Sequence, residues 1–252
     1  QTPASKLPGD YWYLHTARAG DLSGRDRALY RFFEMLPGIL SLTTLSVFVS
    51  LAFLKPVWAA YLTIIFSIYW LFKTFYLSIH LRHNFKRMRH NMALDWNERL
   101  KGLKHETIVH LVIFPFCDEG YEVLEGSIRG ILASSWDPLR IAVVLAAEAR
   151  SPEARVAAER AKAEYGEKFL ECIVTMHPDK VSGEIQGKGA NLSYAAEEAR
   201  TRILDARGIS YERVVVSAFD VDTVVYPQYF SCLTWHVLTA EEPERSSFQP
   251  VP

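Results

Sequence analysis

The sequence predicts an α/β protein in which a doubly wound, mainly parallel sheet follows a two-helix transmembrane hairpin. The hairpin is indicated by two long apolar runs, Leu36–Leu54 and Val57–Ile79, each long enough to cross a hydrocarbon core of about 30 Å. The sheet is indicated by short apolar segments that alternate with amphipathic ones from His105 onward. Strands that alternate with helices typically form a parallel sheet covered on both faces.

The composition narrows the range of partners. The chain has 252 residues and a formal net charge of −1, so no global field points to nucleic acid, and we expect no nucleic-acid partner. The three cysteines, Cys117, Cys172 and Cys232, lack metal-ligand spacing. Their odd number fits buried thiols in a reducing compartment better than a disulfide scaffold.

The distribution of charge predicts how the hairpin is oriented. No Asp or Glu occurs between Met35 and Leu94, whereas seven Lys and Arg residues lie within 80–104 and the turn between the runs carries only Lys55. The positive-inside rule therefore predicts that both termini are cytosolic. We expect a tail over 1–34 with an interfacial helix near Arg25–Glu34, the hairpin over 35–80 and a basic juxtamembrane segment over 81–104.

Two alternatives concern this first part of the chain. A buried helical hairpin in a soluble protein is disfavoured by the length and continuity of the two runs. The i, i+3 spacing of His80 and His83 is compatible with a metal site, but a surface helix that touches anionic head groups is favoured by the basic residues around them.

From 105 to 252 we predict a separate domain. Its predicted strands are Thr107–Phe114, Leu139–Ala146, Phe169–Thr175 and Arg213–Ala218, and its predicted helices are Glu119–Ser134, Pro152–Tyr165, Gly189–Ala206 and Gln228–Ala240. Such sheets bind ligands outside the carboxyl ends of their strands, so the residues at those ends are the candidates for a functional site.

The most informative stretch is Val214–Thr223, an apolar β-branched run that ends in two carboxylates, Asp220 and Asp222. Side chains at i and i+2 of an extended chain point the same way, so this pair is expected to face one crevice. Oxygen ligands of this kind suit Mg²⁺ or Mn²⁺, which commonly bind together with phosphates. The alternative is a polar strand end followed by a turn at Pro227.

The other predicted strands also end in polar or ionisable groups. The first leads to Asp118 and Glu119, the second to Glu148, and the third to His177 and then to Gly183–Asn191, which contains Lys188. Each has a structural alternative: Asp118 as a helix cap, Glu148 as a solvated loop acid and Lys188 as an exposed residue on a glycine turn. The expected position of all these residues at one edge of the sheet favours a functional site there.

These segments resemble glycosyltransferase family 2, whose nucleotide-binding half has the GT-A fold. In that family the first strand ends in a Pro-x-x-Asn-Glu-like turn, here Pro115–Glu119, and the second ends in an acidic residue, here Glu148. A Gly-Lys-x-x-x-Leu-like segment follows, here Gly187–Leu192, and the Asp-x-Asp comes last, here Asp220 and Asp222. Order and spacing are kept over more than half of the chain, and a membrane hairpin also precedes the domain in membrane-integrated members.

The resemblance implies inverting transfer of a sugar from a nucleotide-diphosphate sugar to a lipid-linked or polysaccharide acceptor at the cytosolic face of a bilayer. It implies that Mg²⁺ or Mn²⁺ is held by Asp222, with Asp220 on the metal or the ribose, and that the metal stabilises the leaving diphosphate. The implied donor nucleotide-binding residues are Pro115, Asp118, Glu119, Glu148, Lys188 and Asp220. The family's general base lies in its acceptor half, so we expect it beyond residue 252, in a longer protein of which this chain is the N-terminal part.

Two positions depart from the family pattern. Ala147-Glu148-Ala149-Arg150 stands where the family usually has Asp-Asp-Gly-Ser, and Asp118 stands in place of the usual Asn. The nucleotide preference therefore stays open at this point.

Two rival interpretations remain. Asp220-Val221-Asp222-Thr223 also matches the motif of haloacid-dehalogenase-type phosphatases, with Asp220 as nucleophile and Asp222 as general acid, although that motif normally opens its domain and no Lys follows Lys188. A catalytically inactive membrane-anchored scaffold is favoured only by the altered second-strand motif. A Rossmann dehydrogenase or a P-loop enzyme is disfavoured because the glycine spacing of both motifs is missing.

Overall fold

The structure, a computed structural model, describes residues 22–179 and 187–249. Most of the predicted tail (1–21) and the beginning of the predicted Gly183–Asn191 segment (183–186) lie outside the described residues. The chain divides into two compact units between Asn91 and Met92.

The described part of the first unit is formed by two long helices. Helix α1 is Gly24–Leu54 and helix α2 is Pro56–Ala93, and both are long and apolar enough to cross a membrane. The predicted turn is confirmed at Lys55, whose backbone N–H donates to the Leu51 carbonyl at 2.8 Å, and proline is well suited to the first position of the next helix. Ala59 is the only buried residue in the two helices, so nearly all their apolar surface faces outward.

The interfacial helix predicted near Arg25–Glu34 is not a separate element. It forms the beginning of α1, which runs on without interruption through Pro37. The sequence between Glu34 and Pro37 holds only Met35 and Leu36, both good helix formers, so nothing there ends the helix. In the same way the basic segment predicted over 81–104 begins as a continuation of α2.

The second unit is the predicted α/β domain. It opens with the short helix α3 (Trp96–Leu100), whose N-cap Asp95 accepts hydrogen bonds from the backbone N–H groups of Asn97 and Glu98. The elements that follow in chain order are β1 (Val109–Phe116), α4 (Tyr121–Leu132), β2 (Ile141–Glu148), α5 (Pro152–Tyr165), β3 (Glu171–His177), α6 (Lys188–Ala199), β4 (Val214–Ala218) and α7 (Tyr229–Thr239).

The four strands form one parallel sheet in the order β3-β2-β1-β4, which confirms the predicted α/β class. The register aligns Phe116 with Ala147 and Glu148 with His177, so the carboxyl ends of β1, β2 and β3 finish nearly level. Chain order moves outward from β1 to β3 and then returns to the other side of β1. The strand order therefore reverses between β1 and β4.

Apolar side chains cover both faces of the sheet. One face carries Val112, Phe114, Val143 and Leu145 and packs against α4, α5 and α7; the other carries Leu111, Ile113, Val144 and Ile173 and packs against α6. Every residue of β2 is buried, which explains why its sequence is a nearly continuous apolar run rather than an alternation of apolar and polar residues.

The first three strands begin two residues later than predicted. Before β2, Pro138–Arg140 forms a 3₁₀ turn, and its N-cap Asp137 accepts a hydrogen bond from the Leu139 N–H at 3.0 Å. A second 3₁₀ turn, Gly166–Lys168, precedes β3. Local hydrogen bonds thus hold in turns some residues that the apolar pattern alone assigns to strands. Strand β2 also ends later than predicted, so Glu148 is its last residue and not a loop residue.

His110 in β1 is a fully buried histidine. Its Nε2 lies 2.9 Å from Thr234 Oγ1 of α7, and its ring packs against Trp136 and Phe230. Burial lowers the pKa of His110 to about 3, and the nearby Arg140 charge acts in the same direction. The neutral imidazole is therefore the form that the fold accommodates.

We expect His110 to make the domain sensitive to acid. The unfolded chain binds this proton at an ordinary pKa of 6.5, and the folded chain only near 3. The contribution of neutral His110 to the free energy of unfolding is therefore fully present above pH 6.5. It decreases toward pH 3 by about 1.4 kcal/mol per pH unit. His110→Gln keeps a polar group for Thr234 but cannot ionise, so urea unfolding of the full chain in detergent should show a shallower pH dependence. Equal slopes for both proteins would contradict this role.

Candidate functional site

The candidate site lies at the carboxyl ends of β1 and β4, where the strand order reverses. In open α/β sheets such a reversal leaves a crevice outside the strand ends, because the two following connections leave in opposite directions. The turn after β1 carries Asp118, and the residues after β4 carry Asp220 and Asp222. The topology therefore brings two of the predicted motifs to the same edge.

Pro115 ends the backbone pairing of β1 with β4 at this edge. It lies buried inside β1, two residues beyond Ile113, whose carbonyl accepts the last β1–β4 ladder bond, from Phe219 N–H at 3.0 Å. The next bond of a parallel ladder would run from the N–H of residue 115 to the Phe219 carbonyl, and proline has no N–H. Pairing with β4 therefore stops, and the chain turns away just before Asp220. Pro115 therefore has a role in the backbone at this edge of the sheet.

The paired carboxylates lie in a turn and not on an extended strand, so the conformation predicted for them is wrong. Strand β4 ends at Ala218, and the Thr223 N–H donates to the Asp220 carbonyl at 2.9 Å. Asp220 and Asp222 are nevertheless both exposed, because Phe219 and the intervening Val221 are buried in the core. Alternating burial thus leaves both carboxylates on the outside of the sheet edge.

Helix α4 packs against the turn that carries the two aspartates. Ser127 Oγ donates to the Val221 carbonyl at 2.5 Å, and both groups are buried. One turn further along α4, a Cβ on Gly130 would lie 2.9 Å from Val224 Cγ1 and 3.4 Å from the Val225 nitrogen. Glycine at this position lets the segment after the paired aspartates pack directly against the helix.

Lys188 forms an ion pair with Asp220, which joins the beginning of α6 to the end of β4. Gly187 precedes it with φ 157° and ψ −176°, a combination that is essentially restricted to glycine. Asn191 is buried, and its Nδ2 donates to the Ala146 carbonyl of β2 at 2.7 Å. This bond fixes the first turn of α6 against the sheet and so determines where the Lys188 side chain begins.

The Glu119 side chain accepts hydrogen bonds from the backbone of its own turn. One carboxylate oxygen, Oε2, accepts hydrogen bonds from the backbone N–H of Cys117 at 2.9 Å and of Asp118 at 3.1 Å. These bonds hold the turn between β1 and α4. The Asp118 side chain is exposed beside it and accepts a weak bond from Cys117 Sγ at 3.4 Å.

Glu148 is nearly buried at the end of β2 and is paired with Arg150. Its side chain is 7 % exposed, and its Oε2 lies 2.5 Å from Arg150 Nε. This hydrogen bond raises the pKa of the Arg150 guanidinium, which also interacts with Cys117. Burial and the bond to Asp118 raise the pKa of the Cys117 thiol. The ends of β1 and β2 therefore form one connected polar group.

The third strand reaches this edge at His177. His177 ends β3, is buried, and packs against the Tyr194 ring of α6 with ring centres 5.4 Å apart. Its carbonyl accepts a bond from the Ala149 N–H at 3.0 Å, which keeps β2 and β3 together to their ends.

Sequence reasoning did not assign Arg150 or Asn191 a role. The signal for Arg150 is its opposite charge two residues after Glu148, which is the spacing of neighbours on one side of an extended chain. The signal for Asn191 is an amide in the first turn of an otherwise apolar helix face, three residues after Lys188. A buried amide needs a partner, and the carbonyl of a neighbouring strand provides one.

The described residues include no cluster of three or more His, Cys, Asp or Glu that could hold a metal ion. Asp220 and Asp222 offer two carboxylates. Mg²⁺ is commonly bound by one or two carboxylates together with substrate phosphates, and it keeps several waters. The pair therefore fits a metal that arrives with a phosphate ligand better than a metal held by protein alone.

Fold and site together define an α/β protein with a four-stranded parallel sheet and a charged site at the reversal of its strand order. Comparison of the chain with protein-family models and with curated proteins gives no match.

We expect Glu119→Ala to destabilise the second unit by about 1–2 kcal/mol, because two backbone N–H groups lose a charged acceptor. The measurement is chemical unfolding of the full chain in detergent. Glu159→Ala, which removes an exposed carboxylate from the middle of α5, should change stability by about 0.5 kcal/mol or less. Equal effects of the two substitutions would show that Glu119 does not hold the turn.

Proposed function

We propose that the protein is an inverting glycosyltransferase of the GT-A type, and that the crevice between β1 and β4 binds a nucleotide-diphosphate sugar. The observation that carries the proposal is the ion pair between Lys188 and Asp220. It joins two motifs that are 32 residues apart in sequence. Both motifs resemble segments of glycosyltransferase family 2. The reversal of strand order at the same place supports the proposal, since such crevices commonly bind nucleotides.

The charges at this edge suit a nucleotide diphosphate. Lys188 supplies a positive charge for the diphosphate, and the first turn of α6 adds backbone N–H groups. Glu148 and Asp118 supply carboxylates for the hydroxyl or N–H donors of the ribose and base. Arg150 holds the Glu148 carboxylate in one orientation, so its role is to position that group.

Asp222 and Asp220 would hold the Mg²⁺ or Mn²⁺ ion. When bound there, the ion supplies Lewis-acid stabilisation of the negative charge that develops on the leaving diphosphate. The chain's own groups bind the donor and orient it: Asp220 and Asp222 from the turn after β4, and Lys188 from the opposite side of the crevice.

The proposal includes a membrane location with the second unit in the cytosol. It is supported by α1 and α2, which are long and apolar enough to cross a bilayer, and by the excess of Lys and Arg after the second apolar run. A site that follows a membrane hairpin suits an acceptor that stays at the membrane, either a lipid-linked sugar or a growing polysaccharide.

Calorimetric titration of the full chain with UDP and with GDP, each with and without Mn²⁺, tests donor binding. We expect Mn²⁺ to strengthen binding of one of them by about tenfold or more, since the ion bridges the carboxylates and the diphosphate. Asp222→Asn should remove most of the Mn²⁺ effect. Lys188→Gln should weaken binding in both conditions.

Glu212→Gln is the matched control. Glu212 is exposed just before β4, at the opposite end of that strand from the paired aspartates, and its loss should leave nucleotide binding unchanged. Absence of any Mn²⁺-dependent nucleotide binding by the native chain would overturn the proposal, as would an equal loss in Glu212→Gln.

One observation also favours a phosphatase of the haloacid-dehalogenase type, because a lysine that contacts the first aspartate of an Asp-x-Asp suits a nucleophilic carboxylate. In that case Asp220 would attack phosphorus, expel the alcohol and form a phospho-aspartate. Beryllium fluoride with Mg²⁺ mimics that species. Its Asp220-dependent binding, together with no response to nucleotides, would favour the phosphatase, whereas no beryllium fluoride binding would exclude it.

A further inference from the structure

Beyond its apolar run, α2 is amphipathic. At about 100° per residue, Leu81, Phe85 and Met88 fall on one narrow stripe, because their spacings are i, i+4 and i+7. The basic side chains fall on a different part of the circumference, within about 160° of one another. They are Arg82, His83, Lys86, Arg87, Arg89 and His90.

The basic surface and most of the apolar stripe are exposed, whereas Met88 is half-buried. Leu81 is 68 % exposed and Phe85 is 54 % exposed, which is unusual for large apolar side chains on a soluble helix. The six basic residues are exposed as well. Among the described residues none of the four Arg and Lys side chains forms an ion pair with a carboxylate, and no Asp or Glu lies between Met35 and Leu94 to provide one locally.

The position along the helix matters as much as the composition. About 20 residues of α-helix cross a hydrocarbon core, and α2 has 38. A span that begins near Pro56 therefore reaches the second interface shortly before Leu81. The amphipathic stretch follows without a break in the helix, at the depth of the phospholipid head groups and just beyond them.

We propose that residues 81–90 of α2 form a binding surface for anionic phospholipids, in which the basic face contacts lipid phosphates and Leu81, the apolar residue nearest the span, lies closest to the acyl chains. Lys and Arg near an anionic surface each contribute attraction, which favours anionic over zwitterionic lipids. A second copy of the chain is disfavoured as the partner, since the four Lys and Arg side chains of one face would repel those of the other.

The proposal rests on the membrane location proposed above but not on the nucleotide site. The full chain is reconstituted in phosphatidylcholine vesicles that contain trace spin-labelled phosphatidylglycerol or spin-labelled phosphatidylcholine. The readout is the fraction of each lipid immobilised by the protein. We expect about a fivefold preference for phosphatidylglycerol at low salt, the factor that about 1 kcal/mol from a basic side chain gives, and a clear decrease in 1 M NaCl.

The triple variant Arg82→Gln/Lys86→Gln/Arg89→Gln should lose most of this preference and still co-float with the vesicles. The matched control is Arg155→Gln/Lys162→Gln/Arg213→Gln, which removes three exposed basic residues from the second unit and should keep the preference. Failure of the native chain to co-float would refute the membrane location itself. Co-floating without a preference, or an equal loss in both triple variants, would refute only the lipid-binding surface.

Discussion

The hydrogen-bond ladder between β1 and β4 ends where β1 has a proline, and the geometry of the candidate site depends on that ending. Phe219 N–H makes the last bond, to the Ile113 carbonyl, and Pro115 has no N–H to continue the ladder. The chain must then leave the sheet at residue 220. With Phe219 and Val221 retained in the core, the two aspartates project outward. A donor at position 115 would permit one more rung and carry Asp220 further along the sheet.

The groups around this point are positioned by buried contacts on both faces of the sheet. On one face Ser127 of α4 bonds the Val221 carbonyl, and on the other Asn191 of α6 bonds the Ala146 carbonyl. Both are polar side chains buried with a backbone partner, an arrangement whose loss leaves an unsatisfied group. The backbone that carries Lys188, Asp220 and Asp222 is therefore held by buried hydrogen bonds, whereas these three side chains are exposed.

The sequence was sufficient to predict the class of the fold, because apolar periodicity and helix–strand alternation are properties of the chain alone. Strand starts were predicted two residues early where Asp137 and the turn before β3 capture backbone groups locally. Asp220 and Asp222 are exposed at the sheet edge, as the sequence predicts, but their turn was not predicted. The ladder beside that turn ends at a proline about a hundred residues earlier in the chain, which local periodicity does not show. Contacts such as the ion pair of Glu148 with Arg150 depend on where side chains point at the end of a strand. The apolar periodicity of the sequence does not specify that direction.

The ion pair of Lys188 with Asp220 bears on how a metal and a diphosphate would enter. Both side chains are more than half exposed, at 56 % and 67 %, so water screens the pair and its net contribution is about 0–1 kcal/mol. In the proposed function, Asp220 and Asp222 would hold a cation of higher charge in place of the ammonium, at little cost. Lys188 would then pair with the phosphates of the ligand, which carry the opposite charge.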